Sequence, residues 1–337
     1  MEAQPDQWAR LAEVVAERDP RRIAVNRSAT FALADGMTHS EFDGMLTALP
    51  ERFHGRIVSG EPLAIGWLET RIPEEMAVYP HVVKLAQQII ADGFSEAVIT
   101  PGVTSTEDVE WWYRDRIRAL GLTTWFHPSV SVQRAESGPR SADFSDWGKG
   151  DATIRPGDLL HVDFGIAYLG LHTDTQEHAY VLRPGESEAP AGLRAALATG
   201  NRLQDLLTDR FAEGRTGNEI LASSLAAARA EGIDATIYTH PIGLHGHAAG
   251  PAIGMWDQQG GVPGTGDYPL YPATAHSIEL NAAVPVPEWD GQTVRIMLEQ
   301  DAFFDGDHVW YIDGRQTDLH LIPRTSHTGP LRPIPSD

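Results

Sequence analysis

Five side chains in this sequence are of the types that hold divalent cations. Asp163 lies in LLHVDFG, Asp174 in HTDTQ, Glu279 in HSIELN and Glu299 in VRIMLEQDAFF. Each acid sits in or beside an apolar, strand-like run, where a charge is costly unless it is paired or bound. Asp163 and Asp174 flank a turn near Tyr168-Leu169-Gly170, so two adjacent antiparallel strands are expected to bring them side by side. Like charges placed that way destabilise a hairpin, and a bound cation is the simplest compensation. Four carboxylates suit Mn²⁺, Mg²⁺ or Ca²⁺, and one imidazole tilts the choice toward Mn, Fe, Co or Zn. The imidazole is available in THPIGLHGHAAGP, where His240 follows the strand-like run 235–239 and His247 comes later in the same turn. Any one of these acids taken alone reads better as half of a buried pair with an arginine than as a ligand. Four of them together with a histidine-rich turn favour a metal.

The elements that must position these residues are legible in outline. Residues 6–18 read as a helix and 23–26 as a strand, in a section to about residue 65 that is too small for an independent core. The expected organisation is therefore an amino-terminal cap or truncated small domain, 1–65, and a catalytic domain, 66–337. From Ile72 to Gly93 the stripe Met76, Tyr79, Val83, Ala86, Ile90 is helical, kinked or restarted at Pro80. Ser105 is a plausible cap for a helix that carries Trp111 and Trp112 and stops at Gly121. The stretch 128–156, rich in Ser, Gly, Asp and Pro, reads as a long loop. Strands are expected at 159–166 and 171–182, helices at 188–212 and 216–231, and further strands at 274–282, 292–300 and 308–313. The glycine-rich segment 254–266 has no strand leading into it and no lysine after it, so it reads as a surface loop and not a phosphate loop. No internal repeat is visible by eye.

Composition narrows the class. The 337 residues carry 26 Lys and Arg against 47 Asp and Glu, a formal charge of −21. That argues against nucleic acid or an anionic membrane as partner, since both need a basic footprint. The absence of cysteine excludes disulfides, thiolate metal sites and a cysteine nucleophile. The first twenty residues lack the apolar run of a signal peptide, and no segment is apolar for long enough to span a bilayer. A cytoplasmic protein is expected, and a homodimer is left open.

The order Asp, eleven residues, Asp, then H-x-I-G with a second His seven residues after the first, then I-E, then a strand Glu, resembles the "pita-bread" metallopeptidases. That family includes methionine aminopeptidase, aminopeptidase P (Xaa-Pro aminopeptidase) and prolidase, with creatinase as a metal-free relative. The resemblance runs from about residue 66 to 325, and FALADGMTH and IGWLETR before it are similar to the lead-in of aminopeptidase P-like proteins. It implies an α+β fold in which helices cover a curved antiparallel sheet. It also implies two divalent ions, Mn²⁺ first, with Co²⁺, Fe²⁺ or Zn²⁺ as alternatives. By this resemblance Asp163 would chelate one ion, Asp174 and Glu299 would bridge both, and His240 and Glu279 would complete the second. A metal-bridging hydroxide would be the nucleophile, Glu279 the general base, and His247 a hydrogen-bond donor to the tetrahedral intermediate.

The sequence departs from the family pattern twice. Aminopeptidase P-type relatives usually carry a further His in the loop ahead of the first Asp, and SGPRSADFSDWGKG has none, with His127 well upstream. Relatives commonly place an Arg two positions before the last Glu; here that residue is Met297, with Arg295 one strand repeat earlier. His245, Arg295 and His172 are the substrate-binding candidates, while His161 reads as a core or ligand-supporting histidine and Trp256 and Tyr271 as loop aromatics. The expected activity is Xaa-Pro aminopeptidase action on a peptide. The rivals are a prolidase-like dipeptidase or other amide hydrolase with the same centre, a metal-free creatinase-like hydrolase, and a non-catalytic binding protein that keeps the fold.

Overall fold

The computed structural model describes residues 7–135 and 152–324. The loop segment 137–150, with its missing histidine, lies outside the described residues. The chain divides between Glu69 and Thr70 into two compact units. The first contains α1 (Gln7–Arg18), α2 (His39–Ala48), α3 (Glu61–Glu69) and two short parallel strands, β1 (Ile23–Val25) and β2 (Ile57–Ser59). Among the described residues its small core cluster is Val15, Val25, Met45, Leu49 and Phe53 with half-buried neighbours, which is what so short a section can assemble.

The second unit repeats one plan twice: a helix pair, then an antiparallel meander of three strands. In the first half the one-turn α4 (Pro73–Met76) precedes α5 (Tyr79–Gly93) and α6 (Thr106–Ala119). The strands are β3 (Ser129–Gln133), β4 (Leu159–Phe164) and β7 (Thr175–Val181), with a small hairpin of β5 (Ala167–Tyr168) and β6 (Leu171–His172) between the last two. In the second half α7 (Ala191–Thr208) and α8 (Gly217–Ala230) are followed by β8 (Asp234–Ile237), β11 (Leu280–Val286) and β12 (Gln292–Leu298). A further sheet is made of β9 (His240–Ile242), β10 (Thr274–Ser277), β13 (Asp301–Phe304) and β14 (Val309–Tyr311). Finally β15 (His320–Ile322) adds to β7 in parallel. This is the α+β class expected, and the duplicated plan was invisible in the sequence because its halves share topology without shared residues.

Each helix pair buries one face of its own meander. Residues of α5 and α6 pack on Val130, Val132, Leu160, Val162 and Phe164. Those of α7 and α8 pack on Ile237, Leu280, Ala282, Val294, Ile296 and Leu298. Period-two alternation then turns His161, Asp163, Gln176 and His178 to the opposite face of the first sheet, and Asn281, Arg295 and Met297 to the opposite face of the second. The sheets are joined where Gln176 and Glu299 exchange backbone hydrogen bonds of 2.9 and 3.3 Å.

One local alternative is decided and two expectations are corrected. Pro80 falls in the first turn of α5, where its missing N–H costs nothing, so the helix restarts there and is not kinked. The stretch read as a loop from 128 contains β3, whose SVSVQ alternation was hidden by the polar residues that follow. The strands expected at 274–282 and 292–300 are each broken, at Ile278-Glu279 and at Glu299-Gln300. Ser105 does cap α6, accepting from the Asp108 N–H at 3.2 Å while the Asp108 carboxylate accepts from the Ser105 N–H.

Candidate metal centre

The two strand breaks aim the two glutamates. Glu279 stands between β10 and β11, its backbone N–H held by the Thr239 hydroxyl at 3.0 Å. Glu299 stands between β12 and β13, and its Oε1 accepts from the Ser277 hydroxyl at 2.6 Å. Irregular strand pairing next to an active site commonly re-aims a side chain in this way. His240 opens β9, Asp163 lies on β4, and Asp174 immediately precedes β7. Asp163 and Asp174 are not directly opposed, as the short-turn reading required. The residue facing Asp163 is Gln176, because the β5–β6 hairpin lengthens the connection and sets Asp174 diagonally across.

All five nevertheless converge. Ligand atoms of Asp163, Asp174 and Glu299 lie within 4.8 Å of one another, and so do those of His240, Glu279 and Glu299. His240 Nε2 is 3.3 Å from Glu299 Oε1, 3.5 Å from Asp174 Oδ2 and 3.8 Å from Glu279 Oε2. Its Nδ1 sits 3.0 Å from the Pro241 carbonyl, an acceptor, so Nδ1 carries the proton and Nε2 offers its lone pair to the cluster. Asp163 Oδ1, Asp174 Oδ1 and His240 Nε2 are buried without a hydrogen-bond partner. No lysine or arginine among the described residues pairs with any of the four acids. Buried polar atoms left in this state are expected to bind something, and oxygen donors with one imidazole are a donor set that suits a divalent transition metal.

The electrostatics agree. Burial, and then the charge of Glu299, push the carboxyls of Asp163, Asp174 and Glu279 well above the usual carboxylate range. Burial opposes the protonation of His240, but Glu299 and Glu279 outweigh it and lift the imidazole to about 9. A cluster that must keep protons to remain folded gains by exchanging them for cations. A further buried acid, Asp301, accepts from the Asp174 N–H at 3.3 Å and is also pushed up by burial.

The remaining candidates are placed as follows. The His247 ring lies 4.3 Å from that of His240 and 5.2 Å from Trp125. One His247 nitrogen is within the 4.8 Å reach of Asp174 and His240, so distance alone does not separate a donor from a ligand. Burial and the neighbouring His240 charge lower its pKa to about 4. His172 and His245 stack on each other at 6.4 Å, and His172 Nδ1 faces the Gly243 carbonyl at 3.2 Å. Arg295 donates to Asn281 at 3.0 Å and touches none of the five. His127 pairs with Glu110 at 3.8 Å, and Trp256 and Tyr271 are exposed.

Two residues at the site escaped the sequence reading. Gln176 donates from one amide nitrogen to Glu279 Oε1 and to Glu299 Oε2, the latter at 2.6 Å, and was missed because only charged groups were sought. The available signal was strand period: Asp174, Gln176 and His178 alternate along one segment. Trp125 covers Gly246, where a Cβ would meet its ring at 2.2 Å, and its indole donates to the Thr173 carbonyl at 3.1 Å. Nothing local in the sequence marks it.

The sequence model of metallopeptidase family M24 matches residues 81–301. The chain belongs to metallopeptidase family M24. All five converging residues fall inside the match. No curated protein sequence matches the chain. Among solved structures, an X-Pro aminopeptidase from Thermotoga maritima MSB8 is similar with TM-score 0.65 at 15% identity, over 95% of this chain and 81% of that one. A dipeptidase from Pyrococcus horikoshii OT3 gives 0.60 at 18%, over 94% and 78%. A Xaa-Pro dipeptidase from Bacillus anthracis gives 0.57 at 19%, over 93% and 78%. At these identities the likeness establishes the fold, and the M24 chain is a peptidase-like hydrolase with the pita-bread arrangement of helices and sheets. Among the described residues no helix is long and apolar enough to cross a membrane.

Proposed function

We propose that this M24 chain is a dinuclear metal-dependent aminopeptidase of the Xaa-Pro type. The observation that carries the proposal is the convergence of four acids and one imidazole; among the described residues three of their buried atoms have no hydrogen-bond partner and none of the acids has an arginine or lysine partner. Asp163 would chelate one ion, Asp174 and Glu299 would be shared, and His240 with Glu279 would complete the other. Mn²⁺ is the ion proposed, with Co²⁺, Fe²⁺ or Zn²⁺ as substitutes. When bound, such ions supply a Lewis acid for the scissile carbonyl and lower the pKa of water.

The chain's own residues supply the rest. Glu279, at the edge of the cluster, takes the proton of the attacking water and passes it to the leaving amine. His247, neutral at neutral pH, keeps one ring N–H with which to stabilise the oxyanion. Trp125, anchored to Thr173 and packed against His247, restricts that ring. His245, His172 and Arg295 are proposed to contact the peptide on the substrate side. A peptide substrate in the cytoplasm, with no nucleic-acid or membrane partner, completes the reading.

The second reading is a prolidase-like dipeptidase with the same centre, favoured by the dipeptidases among the similar structures. A panel of longer Xaa-Pro peptides, Xaa-Pro dipeptides and unrelated amides, assayed with Mn²⁺, tests both. Cleavage of only the longer peptides is expected. Cleavage of dipeptides alone selects the second reading, and no cleavage of any proline peptide defeats both.

A further inference from the structure

We infer that Gln176 is a positioning residue of the metal centre and that His161 acts through it; this rests on the metal reading above. Gln176 is fully buried on β7. Its single amide nitrogen donates one N–H to Glu279 and the other to Glu299, two carboxylates that come from separate strand breaks. Its backbone exchanges both hydrogen bonds with Glu299. One residue therefore fixes the spacing of the two glutamates on either side of the His240 nitrogen.

The residue type matters. A lysine or arginine here would cancel the negative charge that a cation needs, whereas a neutral amide orients the carboxylates and leaves their charge intact. Each carboxylate oxygen has two lone pairs, so accepting one N–H leaves the other free for an ion. An amide can also flip, and a flipped Gln176 would turn its oxygen on the two glutamates. His161 prevents this: its Nε2 lies 2.9 Å from Gln176 Oε1 and must be the donor to that oxygen. The His161 ring packs at 5.2 Å on His178. His178 is itself fixed, with Nδ1 donating to the Leu160 carbonyl at 3.0 Å and Nε2 accepting the Met297 N–H at 2.9 Å. A chain of contacts thus runs from the β12 backbone through His178, His161 and Gln176 to both glutamates. Ligand-supporting partners of this kind typically change metal affinity 10- to 100-fold.

The test is calorimetric titration of the metal-free, full-length chain with Mn²⁺, which needs no substrate. Wild type is expected to take two ions. Gln176→Ala should weaken most the ion held by His240 and Glu279 with the shared Asp174 and Glu299, about 10- to 100-fold, with its near-ultraviolet circular dichroism unchanged. His161→Phe, which keeps the Gln176 side chain and serves if Gln176→Ala does not fold, should weaken the same ion by a smaller factor. The double variant should match Gln176→Ala alone if His161 acts on the glutamates through Gln176. Wild-type affinity in Gln176→Ala or in His161→Phe overturns the inference, and additive losses in the double variant overturn the part assigned to His161. A wild-type chain that takes no Mn²⁺ instead overturns the metal reading, and the inference falls with it.

Discussion

Without metal the stability of this protein should fall as pH rises above about 7.5, and supplying Mn²⁺ should remove the part of that fall that comes from the cluster. The sign follows from the groups involved. Asp163, Asp174, Glu279 and Asp301 have folded-state pKa values raised above those of the unfolded chain, and His240 is raised to about 9. Their contribution is fully present below the unfolded pKa and is lost as pH climbs through the folded one. The histidines lowered in the fold, His178 and His247 to about 4, His276 to about 3, and His172, have the opposite sign, but their unfolded forms titrate near 6.5, so their contribution has largely faded by about pH 7.5. Each proton that the folded cluster keeps and the unfolded chain releases contributes about 1.4 kcal/mol per pH unit. The cluster keeps at least the proton on His240, so its part of the metal-free slope should approach about 1.4 kcal/mol per pH unit near pH 8, and exceed it if a carboxyl also holds its proton. Urea unfolding at pH 6.5, 7.5 and 8.5, with chelator and with Mn²⁺, measures it. Glu69, raised by burial to about 8, adds a fall of the same sign that Mn²⁺ does not remove, and Glu69→Gln isolates it. A metal-free slope above about pH 7.5 that is flat or positive, or one that Mn²⁺ leaves unchanged in Glu69→Gln, refutes the reasoning.

Three substitutions probe the parts of the site separately. Asp174→Ala removes a residue proposed to be shared by both ions, so bound Mn²⁺ by elemental analysis should drop from two equivalents to nearly none and activity should vanish; retention of both ions ends the bridging assignment. His247→Ala should keep both ions while kcat falls about 10²- to 10³-fold, the usual cost of one lost oxyanion donor, and loss of metal would mean that His247 is a ligand. Gly246→Ala forces a Cβ into the Trp125 ring, which should cost about 1–3 kcal/mol by overpacking and lower kcat through His247 without changing metal content; an unchanged Tm and kcat would show that Trp125 does not restrain the site.

The sequence by itself determined the donor set and its class of chemistry. Acids such as Asp163 and Glu299 inside apolar strand runs have no cheap structural use, because burying an unpaired charge is expensive, so residue type and context sufficed to single them out. It also determined the capped start of α6 and most of the helices, which depend on local periodicity and local hydrogen bonds. What only the tertiary structure decided is how distant strands are registered. The β5–β6 hairpin displaces Asp174 from its place opposite Asp163 and puts Gln176 there. The breaks at Ile278-Glu279 and Glu299-Gln300 turn both glutamates toward His240, and Trp125 reaches Gly246 from more than a hundred residues away in sequence. Register and strand breaks are set by the packing of each meander on its helix pair, a sum of many weak contacts between residues far apart in the chain. No single stretch of sequence carries that sum, and so the candidate ligands could be singled out from the residues while their neighbours could not.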